Sequence, residues 1–342
     1  LISRLQVALA AAALALLLPA ALFGWMALEM GRPYAAWEGE RADVTLEPGM
    51  SAGAMLRELH EAGVVRHPGL VRRWLSLSGG SDSLQAGEYR FEEPISPQRV
   101  MERLRAGDVI LYGVTVPEGL WLEEVARQIA EQGFATEESL LAAFRDPDPV
   151  RDLDPLAEDL EGYLFPDTYH FPRGADAGDV VEAMIARFVS VADEDYRARA
   201  EGVGLSLREA VTLASLIERE TSVAAERERI SRVFHNRLER GMRLQCDPTV
   251  IYALHRAGRP VKRLYSKHLE FESPWNTYRV HGLPVGPIAN PGEASLLAAV
   301  EPAEGPELYF VAAPGGGHQF SNDLGEHLRA VAEWRDYVRS SR

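Results

Sequence analysis

Residues 210–226, AVTLASLIERETSVAAE, set two carboxylates, Glu218 and Glu220, into an otherwise apolar helical pattern. Ser206 with Glu209 three positions later is a capping box, so a helix opens there. On its wheel Arg208, Thr212, Ser215 and Arg219 form the polar face. Glu220 falls between Leu213 and Leu216 on one side of that face, and Glu218 between Leu207 and Val211 on the other. An ionised carboxylate is costly to desolvate, so a glutamate held there either finds a cation or keeps its proton near neutral pH. A glutamate that keeps its proton can protonate a leaving oxygen, as glycoside cleavage requires. One that pairs with Arg219, Arg227 or Arg229 merely joins helices. Periodicity does not choose between the two carboxylates.

Downstream, 226–240 reads as a helix ending at Gly241, followed by DPTVIYALHRAG (247–258), a loop at 273–292, helix 292–302, strand LYFVAA (308–313) and a C-terminal helix. Upstream, 179–200 is a long amphipathic helix, EGYLFPDTYHF (161–171) is aromatic-rich, and 146–160 is a linker-like stretch dense in Asp and Pro. Further back the chain repeats itself. VTLEPGMSAGAMLRELHEAG (44–63) aligns with VTVPEGLWLEEVARQIAEQG (114–133) at an offset of 70 residues. Each copy reads as a short strand, a Pro/Gly turn, a helix and a closing glycine. Between the copies lie a helix at 71–79, a strand at 86–91 and a helix at 96–107 capped by Ser96. The short alternation argues for an α+β fold and against a wound parallel sheet.

At 342 residues the chain has room for two or three domains. Its net charge of −15, with no compensating basic cluster, excludes nucleic acid as a partner. A single cysteine, Cys246, excludes an internal disulfide framework and a Cys-rich zinc site. Residues 7–28 carry no charge and, at about 1.5 Å per residue, span roughly the 30 Å hydrocarbon layer. A transmembrane anchor over 7–30 is therefore expected, with a cytoplasmic N-terminus at 1–6. Arg4 precedes the run and Glu29, Glu38 and Glu40 follow it, which places the rest of the chain outside.

Several blocks are similar to one family. LIERETSVAAERERISRVFHNRLERGMRLQCDPTVIYAL (216–254), PWNTYRVHGLPVGPIANPG (274–292) and LYFVAAPGGGHQFSNDLGEH (308–327) resemble the YceG-like endolytic murein transglycosylases. AGEYRF (86–91), VPEGLWLEEVA (116–126) and EGYLFPDTYHF (161–171) fit the same family in the same order. The resemblance implies a LysM-like α+β subdomain at 41–108 and a larger mixed α/β catalytic domain at 109–342 with a lysozyme-like catalytic helix. It also implies a single pass through the bacterial inner membrane, with catalysis on the periplasmic or outer side. The second Glu of the E-x-E-T run, here Glu220, corresponds to the catalytic acid, which leaves Glu218 as a supporting carboxylate.

The implied reaction cuts the MurNAc–GlcNAc bond and closes a 1,6-anhydro ring, with one glutamate as acid and then base. Gln245, Asp247, Thr249, Asn276, Thr277 and Tyr278 are the implied substrate-binding groups, and Tyr252 and Trp275 could stack on sugars. No cofactor and no metal are called for; His318 and His327 stand nine apart, which matches no zinc pattern. The implied partners are peptidoglycan strands, the membrane through the N-terminal helix, and the cell-wall synthesis machinery. Two other readings fit the same residues: a membrane-tethered glycan-binding protein without chemistry, and a lysozyme-type hydrolase that needs a second carboxylate such as Asp247.

Overall fold

The computed structural model describes residues 4–78 and 84–340; the side chains of 4, 5, 7–12, 14, 16 and 78 fall outside that description. The chain folds as two compact units. The first runs to Tyr112 and includes His170–Gly174, and the second comprises Gly113–Tyr169 and the chain from Ala175 onward.

In the first unit, α1 (Arg4–Gly31) buries Met26 and Met30 near its end, and Phe23 stacks on Trp74 with ring centroids 5.7 Å apart. Strand β1 (Ala42–Leu46) alternates buried and exposed residues, so Ala42, Val44 and Leu46 face one core. Helices α2 (Ala52–Glu61) and α3 (Pro68–Ser78) follow, and β2 (Gly87–Phe91) returns antiparallel with Tyr89 opposite Val44. Helix α4 (Pro97–Ala106) is capped by the Ser96 hydroxyl and closed by Gly107 in the left-handed region. Leu56, Leu59, Val71, Leu75, Phe91 and Leu104 fill the core, each contributing about 1.5–3 kcal/mol by burial.

Strands β3 (Leu111–Thr115) and β4 (Thr168–Pro172) form a second two-stranded sheet, and the unit boundary cuts both. The second unit is mainly helical: α5 (Leu122–Glu131), α6 (Glu137–Phe144), α7 (Ala177–Val191), α8 (Glu194–Gly202), α9 (Leu207–Glu220), α10 (Arg227–Glu239), α11 (Asp247–Arg256) and α12 (Glu293–Val300). A hairpin, β5 (Tyr309–Ala312) and β6 (His318–Ser321), leads into α13 (Leu324–Ser340). Helix α9 lies at the centre, with α8, α10, α11 and α12 packed on it. Ala210, Val211, Leu213, Ala214, Leu216 and Ile217 are fully buried there.

The sequence repeat is visible in the backbone. Helices α2 and α5 have the same length and start 70 positions apart, and Gly49 and Gly119 both take φ near +80° in the turns before them. Only glycine adopts that conformation cheaply.

Two expectations change. The helix expected over 179–200 is two helices: the chain breaks at Ala192, and the Asp193 carboxylate accepts from Tyr196 N–H at 2.9 Å to start α8. A short acidic side chain competes with the helix ladder in this way. The linker-like stretch 146–160 packs inside the second unit, with Val150, Asp154, Ala157 and Leu160 buried. Its Asp154 takes the Tyr163 hydroxyl at 2.6 Å and an ion pair from Arg208, which gives a buried acid its partners. Among the described residues no helix is long and apolar enough to cross a membrane. The run 7–28 lies in part on positions whose side chains are not described. The α+β expectation survives as helices with three small two-stranded sheets.

Candidate active site

The two carboxylates of α9 point to different surroundings. Glu218 accepts from Gly292 N–H at 3.0 Å and lies 3.8 Å from the Arg227 guanidinium, with only 7% of its side chain exposed. Glu118 shares that arginine at 3.8 Å. Glu218 therefore ties α9 to the start of α12 and to α10. Glu220 is the last residue of α9, before the chain turns to extended geometry at Thr221. Its carboxyl lines a cleft of about 630 Å³ together with Arg237, Gln245, Asp247, Tyr278 and Tyr309.

Loss of solvation pushes Glu220 up to about 7, and the nearby Asp247 charge pushes in the same direction. A hydrogen bond from the Cys246 thiol and the Arg237 charge oppose that shift without cancelling it. Burial first, and then the Glu220 charge, raise the Cys246 thiol far above its usual range. Cys246 is thus a neutral donor to the carboxylate and not a nucleophile. Asp247 opens α11, and the Tyr278 hydroxyl donates to its Oδ1 at 2.6 Å. Gln245 sits at the cleft with φ +50°, a left-handed conformation that costs a non-glycine residue about 1–3 kcal/mol. A titratable acid near neutrality in an open cleft, beside a second carboxylate, is equipped for proton transfer to a bound substrate.

Residues 44–333 match the YceG-like family. The chain belongs to the YceG-like family. It is 33% identical over 308 residues to a Bacillus subtilis protein named endolytic murein transglycosylase, covering 85% of this chain and 84% of that one. A Streptococcus pneumoniae protein of the same name is 28% identical; the alignment takes 94% of this chain but spans 63% of that longer relative. A crystal structure of a YceG-like protein from Listeria monocytogenes superposes with a TM-score of 0.57 at 29% identity, covering 85% of this chain and 98% of that one.

In this YceG-like chain the residues singled out from sequence divide into two groups. Glu220, Gln245, Asp247 and Tyr278 come together around the cleft. Thr249, Asn276 and Thr277 do not reach it; all three are fully buried. The Thr249 hydroxyl donates to Cys246 C=O at 2.6 Å, leaving the Thr277 hydroxyl to donate to Thr249 Oγ1 at 2.9 Å. Thr277 Oγ1 in turn accepts from Cys246 N–H at 2.9 Å. The two threonines clamp the Cys246 backbone and so fix the thiol against Glu220. Asn276 donates to the carbonyls of Leu269 and Phe271, at 3.1 and 2.6 Å, and holds the loop that carries Tyr278.

Tyr252 and Trp275 do not line the cleft. They pack edge to face at 6.0 Å with Arg256 over both rings, and the Tyr252 hydroxyl donates to buried Glu161 at 3.2 Å. His318 pairs with Glu226 at 2.8 Å on the cleft rim. Among the described residues, no group of three His, Cys, Asp or Glu could hold a metal ion.

Sequence reasoning missed Arg237 and Tyr309, which line the same cleft beside His327, a residue the sequence offered only as no zinc ligand. Arg237 is buried; it donates to Leu308 C=O at 2.7 Å and Leu244 C=O at 2.6 Å, with its guanidinium over the Tyr309 ring. The signal was present: Ile230, Val233, Phe234 and Arg237 repeat at helical spacing, so an arginine occupies a core position. His327 stacks on Tyr309 at 5.0 Å, and burial with the Arg237 charge lowers its imidazole pKa below the usual histidine value.

Proposed function

We infer that this YceG-like chain is an endolytic murein transglycosylase, a lytic enzyme that cuts peptidoglycan glycan strands. The supporting observation is the Glu220 carboxyl, held near pKa 7 at an open cleft. At neutral pH about half of such groups carry a proton, so one side chain can both give and take it. In the proposed mechanism Glu220 protonates the oxygen linking N-acetylmuramic acid to N-acetylglucosamine, and the bond to the muramyl C1 breaks. The resulting carboxylate removes the proton from the muramyl C6 hydroxyl, whose oxygen closes onto C1. The product ends in a 1,6-anhydro ring, water is not consumed, and Glu220 regains its proton. The Cys246 thiol and Arg237 stabilise the carboxylate between the two steps. Asp247 supports the carbocation-like sugar by charge.

The second carboxylate beside Glu220 also supports a hydrolase reading, in which Asp247 positions a water. Mass spectrometry of strands cut by the full chain separates the two: anhydro ends are lighter by one water than hydrolysed ends. Reducing ends from the wild type, or full activity in Glu220→Gln, would overturn the transglycosylase reading.

The remaining proposals concern placement. The uncharged run 7–28 and the exposed Leu17, Leu18, Leu22 and Phe23 support insertion of α1 into the bacterial inner membrane, with the rest of the chain on the outer side. The β1–α2–α3–β2 order supports a LysM-like glycan-holding module in the first unit. An enzyme working there would meet the cell-wall synthesis machinery. Carbonate extraction of membranes tests the anchor; release of the full chain into the wash would refute it.

A further inference from the structure

The wall of the cleft formed by α13 has a composition the cutting reaction does not use. Leu324, Leu328, Val331 and Arg335 all line the cleft. At spacings of four, three and four they form one stripe along the helix. Leu324 is 54% exposed and Leu328 58% exposed, unusual for leucines inside a polar cleft. Arg335 ends the stripe, and among the described residues no carboxylate pairs with it although the chain carries a net charge of −15.

We propose that this stripe binds the peptide attached to the muramyl sugar, so that the enzyme selects strands still bearing their peptides. The proposal rests on murein being the substrate. Sugar rings are best held by aromatic rings and hydrogen bonds, which the Glu220 side of the cleft offers through Tyr278, Gln245 and Asp247. A Leu–Leu–Val stripe instead suits short alkyl side chains. Once the muramyl lactyl group is amide-linked to its peptide, the N-acetylated glycan carries no charge, and the substrate's carboxylates lie on the peptide. Arg335 therefore matches the peptide and not the sugars. Length agrees as well: the twelve residues of helix from Leu324 to Arg335 extend roughly 16 Å, the span of about five residues of extended chain. A bare lactyl carboxylate would cover only a small part of that distance.

Binding by the full-length Glu220→Gln chain should be measured on two soluble glycan strands of equal length, one with peptides and one stripped by an amidase. Peptide-bearing strands are expected to bind at least tenfold more tightly. Arg335→Ala and Leu328→Ser should each reduce that ratio to about threefold or less, while Arg329→Ala, roughly a third of a turn away on the same helix, leaves it unchanged. In the Glu220-intact chain the same ratio should reappear in KM, with kcat little affected. Equal affinity for the two strands would overturn the proposal, as would an equal loss on both in the Arg335 and Leu328 variants. A ratio moved as much by Arg329→Ala would also overturn it, pointing to general charge. Binding is scored without regard to the product formed, so failure of the transglycosylase reading registers separately, in the mass of the cut ends.

Discussion

Replacing Glu220 with glutamine should make the protein more stable in alkaline solution while removing its activity. Glutamine keeps the shape of the protonated acid and cannot ionise. In the folded chain desolvation raises the Glu220 pKa from 4.5 to about 7. Below pH 4.5 the carboxyl is protonated in both folded and unfolded chains, and wild type and variant should be equally stable. Between 4.5 and about 7 the unfolded chain ionises freely while the folded one resists, so wild-type stability declines through that window. Above it the full difference applies. A rise of this size corresponds to roughly 3 kcal/mol, and partial access of the side chain to solvent reduces this to about 2–3 kcal/mol. For a body the size of the second unit that is roughly 4–10 °C in Tm. Thermal unfolding of the two full chains should therefore coincide near pH 4.5 and separate progressively to pH 8, with the variant higher. Parallel pH profiles, or a less stable variant at pH 8, would refute the idea that the site holds an acid at an energetic cost. Activity should fall by at least about 10²–10⁴-fold at every pH.

Other expectations concern the groups around Glu220. Asp247→Asn removes a charge that raises the Glu220 pKa, so the alkaline limb of kcat/KM should move below about 7; an upward shift would contradict the placement. Cys246→Ala removes a donor to the carboxylate and should move the same limb upward, with the cysteine's reactivity toward thiol reagents in the native wild type remaining low. Glu218→Gln should leave the alkaline limb in place but cost about 1–3 kcal/mol, measured by urea unfolding, because it weakens the tie to Gly292 N–H and Arg227.

Much of the fold was legible because the local signals agree with the packing. Ser206 with Glu209, Ser96 before α4, and the paired glycines of the repeat mark boundaries where the backbone does turn. The choice between Glu218 and Glu220 was not legible from periodicity. Both flank the polar face of α9, and only partners far along the chain, Gly292 and Arg227 for one and Cys246 and Asp247 for the other, set them apart. Sequence alone leaves Thr249, Asn276 and Thr277 open, because small polar residues serve equally well as ligand contacts and as internal clamps. Their full burial resolves that ambiguity. Arg237 is hard to place from sequence because a charged residue on a helix ordinarily belongs to its wet side.

The division of the chain has a practical corollary for anyone wishing to separate its parts. The backbone passes between the two units three times, after Tyr112, after Tyr169 and after Gly174. No single protease nick at a crossing releases either unit whole. A fragment begun near residue 109 would carry five residues, 170–174, whose home is in the piece discarded. Dissecting this molecule calls for excision and religation at those crossings, not for a simple truncation.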